Sequence, residues 1–458
     1  MGLNADSAGI DGIPAHRKDT AMTDTILHAF NWRYTDVADR AADIAACGYG
    51  AVLLPPPLYS SENGAPWWQR YQPKDYRVLR SYLGTKPELE QAIGALHGRG
   101  VRVFADIVFN HMANEKSQRS DPYAFPGEAE LARYRSERES FERDRLYGDL
   151  DVGLFSHWDF NPEGDIMNWN DLYESNERWL NGLPDLDLNP WVVDQQRLCL
   201  RALNLLGFDG YRIDAIKHLP EDHIRSVFET DDMAGRYVFG EALTSNDHEE
   251  NIFLWPLVLR TSVSFYDFPL HETLRRVFSP GGSMRELADP AAYGQALSWR
   301  RALTFTVTHD IPNNDGFRWQ LLDGQDEYLA NAYILGRDGG VPMVFTDHDE
   351  SPRDRGRWYE AWQRYDIVRM IAFHNAVHGS RERSLFEDDG FLVFARGDRG
   401  IVAINKTEQW QHPRIWTYGL QHGRYRCQIH QHDMQVTGEY FDFAIPPRQA
   451  QMWLWQEG

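Results

Sequence analysis

The chain has 458 residues, 42% of them hydrophobic and 25% charged, with a formal charge of −21 at pH 7. That charge would repel nucleic acid and anionic membrane surfaces, whereas a neutral ligand is compatible with it, and no apolar run approaches the length of a membrane span. The length leaves room for a barrel of about 250 residues plus accessory domains.

Cys47, Cys199 and Cys427 are widely spaced and form no C-x-x-C, so neither a disulfide framework nor a zinc pattern is indicated. Residues 1–25 read as a polar N-terminal extension without the apolar core of a signal peptide. A reducing cytoplasm fits both observations, with a secreted chain that has lost its signal as the alternative. A monomer is the expected state.

Ile26-Leu-His-Ala-Phe30 reads as a strand, Asp36 to Cys47 as an amphipathic helix closed by Gly48, and Ala51-Val-Leu-Leu-Pro55 as a second strand. Strands alternating with helices are the pattern of βαβ units. After a loop carrying Trp67, Trp68 and Tyr71, a helix spans residues 87–100 with Pro87 near its first turn. Val101-Arg-Val-Phe-Ala-Asp-Ile-Val-Phe-Asn-His111 is then a buried-strand run ending in polar residues. From Met112 to Asn189 the rhythm stops. This stretch is long, charged and aromatic-rich, and the charges between Ser117 and Arg145 read as a solvated helix face.

A helix end stopped by Gly207 leads into a strand from Phe208 to Asp214. Side chains alternate across a strand, so Arg212 and Asp214 share one face, with Gly210 leaving space beneath them. The cation favours the ionised acid, which suits a nucleophile, although an isolated Arg-x-Asp is more often an ordinary ion pair. Tyr237 to Glu241, Thr261 to Asp267, Leu303 to Asp310 and Gly340 to Phe345 complete eight strands. Four of the runs deliver Asp, Glu, His or Asn at their C-terminal ends, as a (β/α)8 barrel does around one pocket. Beyond residue 380 the pattern changes to short alternating strands at 391–395, 400–405, 425–430 and 451–455, the signature of an antiparallel β domain.

The stretches 101–111, 207–218, 237–241 and 303–310 resemble, in this order, the sequence regions of the α-amylase family of glycoside hydrolases (family 13). Leu183-Pro-Asp-Leu-Asp187 resembles its fifth region, and Lys217-His218 looks like α-amylases proper. The resemblance implies an α/β fold: a (β/α)8 TIM barrel over 26–111 and 190–379, a domain B inserted after strand 3 over 112–189, and a C-terminal β-sandwich, domain C, over 380–458. It implies Asp214 as nucleophile, Glu241 as general acid/base and Asp310 as the carboxylate that stabilises the transition state. Tyr71 would stack on the reacting sugar and His111 would hydrogen-bond it. Lys217 would contact glucose units on the leaving-group side, Arg212 would pair with Asp106, and His309 belongs to the same substrate-binding set. A structural calcium is implied at Asn110, Asp185 and the main-chain oxygen of His218, the remaining ligand being open among Asp149, Asp151, Asp159, Glu163 and Asp165.

The activity so implied is retaining endo-hydrolysis of α-1,4-glucosidic bonds in starch, glycogen or maltodextrins through a covalent glycosyl-enzyme. Glu241 faces two other acids, so like charge is expected to keep it protonated near neutral pH. A maltooligosaccharide-forming or transglycosylating relative is the alternative, and a non-catalytic glucan-binding protein a further one, which the presence of all three acids disfavours. Thr308 stands where the family more often has Asn, and Thr346-Asp-His-Asp-Glu350 departs from the family's usual ending of the eighth strand. Both departures bear on substrate range.

Overall fold

The computed structural model describes residues 24–61, 66–117, 121–348 and 353–457. The N-terminal extension up to residue 23, residues 118–120 of the charged run, and Asp349-Glu350 lie outside them. Eight parallel strands close into a barrel: β1 (Ile26–Phe30), β2 (Ala51–Leu54), β3 (Arg102–Ile107), β4 (Gly210–Ile213), β5 (Tyr237–Gly240), β6 (Ser264–Tyr266), β7 (Ala302–Thr304) and β8 (Val341–Asp347). Each strand pairs with its sequence neighbours, and β8 closes on β1 with Met343 opposite Ile26.

The two-residue period of a strand sorts the side chains. Ile26, Phe30, Ala51, Leu53, Phe104, Phe239, Leu303, Met343 and Phe345 fill the interior, while Leu27, Ala29, Val52, Leu54, Val103, Ala105 and Ile107 face outward to the helices. Asp106 and Arg212 sit on the inward phase and are direct partners in the β3–β4 register. Gly207 ends the helix Pro190–Leu206 with φ +118°, a left-handed conformation that glycine adopts without steric cost. Gly210 is required by close packing rather than by open space: a Cβ there would come within 2.3 Å of the Tyr237 carbonyl oxygen.

β7 is shorter than the strand read over 303–310. The chain leaves the ladder after Thr304, and His309, with αR backbone angles, leads into a short helix, Asp310–Asn313. Asp214 and Glu241 likewise stand one residue beyond β4 and β5. These acids thus lie where the strand hydrogen bonding has ended and side chains can converge at the C-terminal face.

Between β3 and the helix Pro190–Leu206, the charged run forms the helices Glu128–Ser136 and Arg138–Asp144. Their salt bridges, such as Arg133 to Glu137 and Arg138 to Asp151, face solvent, while Tyr134 and Phe141 pack inward with Tyr59, Val78 and Leu150. Residues 382–455 form eight antiparallel strands, twice the number read from the sequence: β9 (Glu382–Glu387), β10 (Phe391–Arg396), β11 (Gly400–Asn405), β12 (Arg414–Trp416), β13 (Gly423–Cys427), β14 (Asp433–Val436), β15 (Tyr440–Asp442) and β16 (Gln449–Trp455). Six form one sheet in the order β9-β10-β11-β16-β13-β14, and β12 pairs with β15. The sheet packs on the barrel helices Gly324–Gly336 and Tyr365–Ala376. Arg396 ties the two layers by donating to the Gly336 carbonyl at 2.6 Å. Among the described residues no helix is long and apolar enough to cross a membrane.

Candidate active site

The guanidinium of Arg212 is fully buried and organises the C-terminal mouth of the barrel. Its Nη1 donates to both oxygens of Asp106 at 2.7 and 2.8 Å and to Asp214 Oδ1 at 2.7 Å, and its Nη2 donates to Glu241 Oε2. One planar cation therefore holds three carboxylates from three adjacent strands, a task suited to the rigid fork of arginine. Ala215, directly after Asp214, has φ +49°. This sparsely populated conformation turns the chain sharply out of β4 and begins the 3-10 turn Ile216–His218.

Glu241 has two unlike oxygens. Oε2 accepts from Arg212, whereas Oε1 is buried without a hydrogen-bond partner among the described residues. Burial pushes the Glu241 carboxyl above its ordinary range, Arg212 opposes the shift, and the nearby Asp214 adds to it. Burial, helped by Glu241 and Asp214, likewise drives Asp310 well upward. Asp106 is pushed up to about 7 by burial, against the pull of Arg212. Four acids around one cation cannot all hold a negative charge away from water, so protons are retained among them.

An aromatic wall stands beside these acids. Tyr71 stacks on His309 with ring centroids 5.0 Å apart and planes 10° apart, and Phe30 stacks on the other side of His309 at 4.8 Å. Trp67 meets both Tyr71 and His309 edge-on. The Tyr71 hydroxyl donates to Asp106 Oδ2 at 2.9 Å, joining the wall to the carboxylate cluster. His309 Nε2 lies 3.4 Å from Asp310 Oδ2, and burial holds its imidazole well below the ordinary pKa, hence neutral. Thr308 is buried with its hydroxyl unpartnered among the described residues.

Of the residues singled out from sequence, Asp214, Glu241, Arg212, Tyr71, His309 and Asp310 are thus linked by direct contacts or electrostatic coupling. His111 and Lys217 flank them with their polar groups engaged. His111 Nε2 donates to the Tyr71 carbonyl at 3.0 Å, so in this state it does not point freely at a ligand. Lys217 Nζ donates to the Leu243 carbonyl at 2.9 Å, and burial lowers its pKa.

Asn110 and Asp185 meet where the insertion joins the barrel, and His218, in the turn after β4, stands against Ser175 of the same insertion. The Asn110 carbonyl accepts from the Leu186 amide at 3.0 Å, and the Asp185 carboxylate accepts from Asn161 Nδ2 at 2.8 Å. The His218 ring contacts Ser175 at 3.0 Å, with its pKa pushed down to about 3 by burial. Burial and the neighbouring carboxylates of Glu177 and Asp187 drive Asp185 well above the ordinary range. Among the described residues no Lys or Arg pairs with it. A buried carboxylate crowded by acids and served only by amides is a poor structural element by itself, and a hard cation taking oxygen ligands would relieve it. The residues therefore fit calcium.

Of the acids left open for that site, Asp159 caps the turn at Ser156, Glu163 pairs with Lys116, Asp151 pairs with Arg138, and Asp165 accepts from Gly182. Asp149 accepts from the Asp151 amide. Glu177, which couples to Asp185 most strongly among the acids, was not singled out. It ends the helix Leu172–Glu177, which at six residues is too short to show a helical period in the sequence. Also unread were Phe30 and His28, whose ring lies edge-on to His309 at 5.5 Å.

Comparison with known proteins gives a consistent picture. Residues 37–255 match the family described as the alpha amylase catalytic domain, and residues 386–456 match the alpha amylase C-terminal all-beta domain. The chain is 47% identical over 404 residues to an alpha-amylase of Aeromonas hydrophila, covering 85% of this chain and 86% of that protein. It is 29% identical over 481 residues to an alpha-amylase of Thermomonospora curvata, covering 95% and 74% respectively. The crystal structure of alpha-amylase I from Eisenia fetida superimposes with a TM-score of 0.76 at 21% identity, covering 94% of this chain and 96% of that one.

Proposed function

Because the chain belongs to the α-amylase family of glycoside hydrolases and is an α-1,4-glucan hydrolase, we propose that Asp214, Glu241 and Asp310 perform the reaction by a retaining, endo-acting mechanism on starch, glycogen or maltodextrins. The observation that carries this reading is the single guanidinium of Arg212, which binds Asp214 and Glu241 together while leaving Glu241 Oε1 free. Asp214 attacks the anomeric carbon. Glu241, protonated through burial and the charge of Asp214, gives its proton from Oε1 to the departing glycosidic oxygen. The sugar is then bonded to Asp214, and Glu241, now a carboxylate, takes a proton from the water that displaces it. Positive charge developing on the ring favours the ionised form of Asp310, which supplies negative charge where the transition state needs it.

Tyr71 and His309 form the platform beside the reacting sugar, and Asp106 with Arg212 fixes the carboxylates from beneath. His111 and Lys217 complete the substrate-binding set. His111 needs only to turn from the Tyr71 carbonyl to reach a sugar hydroxyl, and Lys217, on releasing the Leu243 carbonyl, would contact glucose units on the leaving-group side. Residues 112–189 serve as domain B over the mouth, with the barrel over 26–111 and 190–379 and domain C over 380–458. If Asp214 attacks as described, NMR of maltodextrin cleaved for seconds should show the α-anomer forming first. Initial release of the β-anomer would exclude a covalent intermediate on Asp214.

Calcium would be held by Asn110, Asp185 and the main-chain oxygen of His218, clamping domain B to the end of β3 and the turn after β4. A chelator should therefore lower the melting temperature of the wild type, and calcium rather than magnesium should restore it. In Asp185→Asn the chelator effect attributable to this site should vanish. A variant that responds to chelator and calcium as the wild type does would count against this ligand set.

A further inference from the structure

The N-terminal face of the barrel, opposite the mouth, carries a second group of ligating side chains. Asp24 lies two residues before β1, and His374 lies on the helix Tyr365–Ala376, with His378 four positions further on. His374 Nε2 is 2.7 Å from Asp24 Oδ1, His378 Nδ1 is 3.6 Å from the same oxygen, and the three donor atoms all lie within 4.8 Å of one another. A tetrahedral ion with bonds of about 2.0–2.1 Å keeps its donors about 3.3 Å apart, between the two measured separations. We propose that Asp24, His374 and His378 bind a divalent transition-metal ion of the zinc class, leaving a coordination position open to solvent on the His378 side.

The orientation of His374 supports this. Its Nδ1 is 3.2 Å from the Leu335 carbonyl and can only donate there, which fixes the ring and turns Nε2 towards Asp24. A carbonyl behind the distal nitrogen is the outer support that metal-bound histidines use. The gap between Nε2 and the carboxylate then requires a positive species, either a proton or a metal ion. Arg396 is also within electrostatic reach, but its hydrogen bonds go to the carbonyls of Gly336, Arg337, Ser380 and Val377, which leaves the carboxylate to the histidines. His378 is 47% exposed in its side chain, so an ion can enter from water. Two nitrogen donors and one carboxylate favour zinc, nickel or copper over calcium or magnesium. Bound there, the ion would link the approach to the first barrel strand with the last barrel helix, across the seam where β8 closes on β1.

Calorimetric titration of the chelator-stripped full chain with zinc chloride, in saturating calcium so that the oxygen-ligand site is filled, tests the proposal. The wild type should bind one zinc that is weakened about 100-fold or more in His378→Ala, since losing even an outer-shell partner costs about 10–100-fold. Asp24→Asn should show a similar loss, and zinc should raise the melting temperature of the wild type but not of His378→Ala. Retained glucan hydrolysis by His378→Ala, whose side chain is far from the mouth, would certify its fold. Absence of tight zinc binding in the wild type, or equal binding by wild type and His378→Ala, would overturn the assignment whatever the outcome for the catalytic acids.

Discussion

Asp214→Asn is expected to lower kcat on starch by about 10⁴-fold or more, the scale on which removing a nucleophile acts in enzymes whose groups work as a unit. The fold should survive. Asparagine has the same shape, its amide oxygen can still accept from Arg212 Nη1, and the hydrogen bonds from the buried guanidinium to Asp106 and Glu241 remain. Unfolding therefore cannot stand in for loss of chemistry, and circular dichroism with a melting curve checks this directly. A folded Asp214→Asn enzyme that kept more than about a tenth of wild-type kcat would remove Asp214 from the nucleophile's role, because catalysis by the remaining groups falls far short of that.

Glu241→Gln should lower kcat on starch by about 10²–10⁴-fold, the usual contribution of a positioned general acid. The loss should be much smaller on an aryl maltooligosaccharide whose leaving group needs no proton. The pH profile gives an independent reading. Burial and Asp214 raise the Glu241 pKa above the ordinary glutamate value of about 4.3, and the acid step needs the protonated form. Activity should thus persist above that ordinary value and fall as pH rises through the raised one, and Glu241→Gln should lack this alkaline limb. An unchanged limb in the variant would assign it to another group. The same shift has a cost in stability. The folded state binds the Glu241 and Asp310 protons more tightly than the unfolded chain, so their contribution to stability declines as pH rises across that interval.

The carboxylates at the barrel mouth were legible because the signal is local. An apolar run with a polar residue at its C-terminal end marks a barrel strand and its delivery point within a few residues. β1 and β11 have the bounds read from the sequence. At β7 the reading overran by six residues, because Phe305, Val307 and their neighbours are as apolar as a strand but pack in the barrel mouth without ladder hydrogen bonds. The C-terminal strands at 414–416 and 440–442 were missed for the opposite reason. They are three residues long with exposed ends and have too little alternation to register.

The sequence by itself determined the barrel, the order of its strands, and the identity of the acids at their ends, since strand alternation and strand termination are properties of neighbouring residues. Only the tertiary structure decided which oxygen of Glu241 is left free, that Tyr71 stacks on His309, and that His111 turns to the Tyr71 carbonyl. It also brought His374 to Asp24, 350 positions away in the chain. Contacts of that kind are set by how strands and helices close on one another, and no spacing along the chain encodes them.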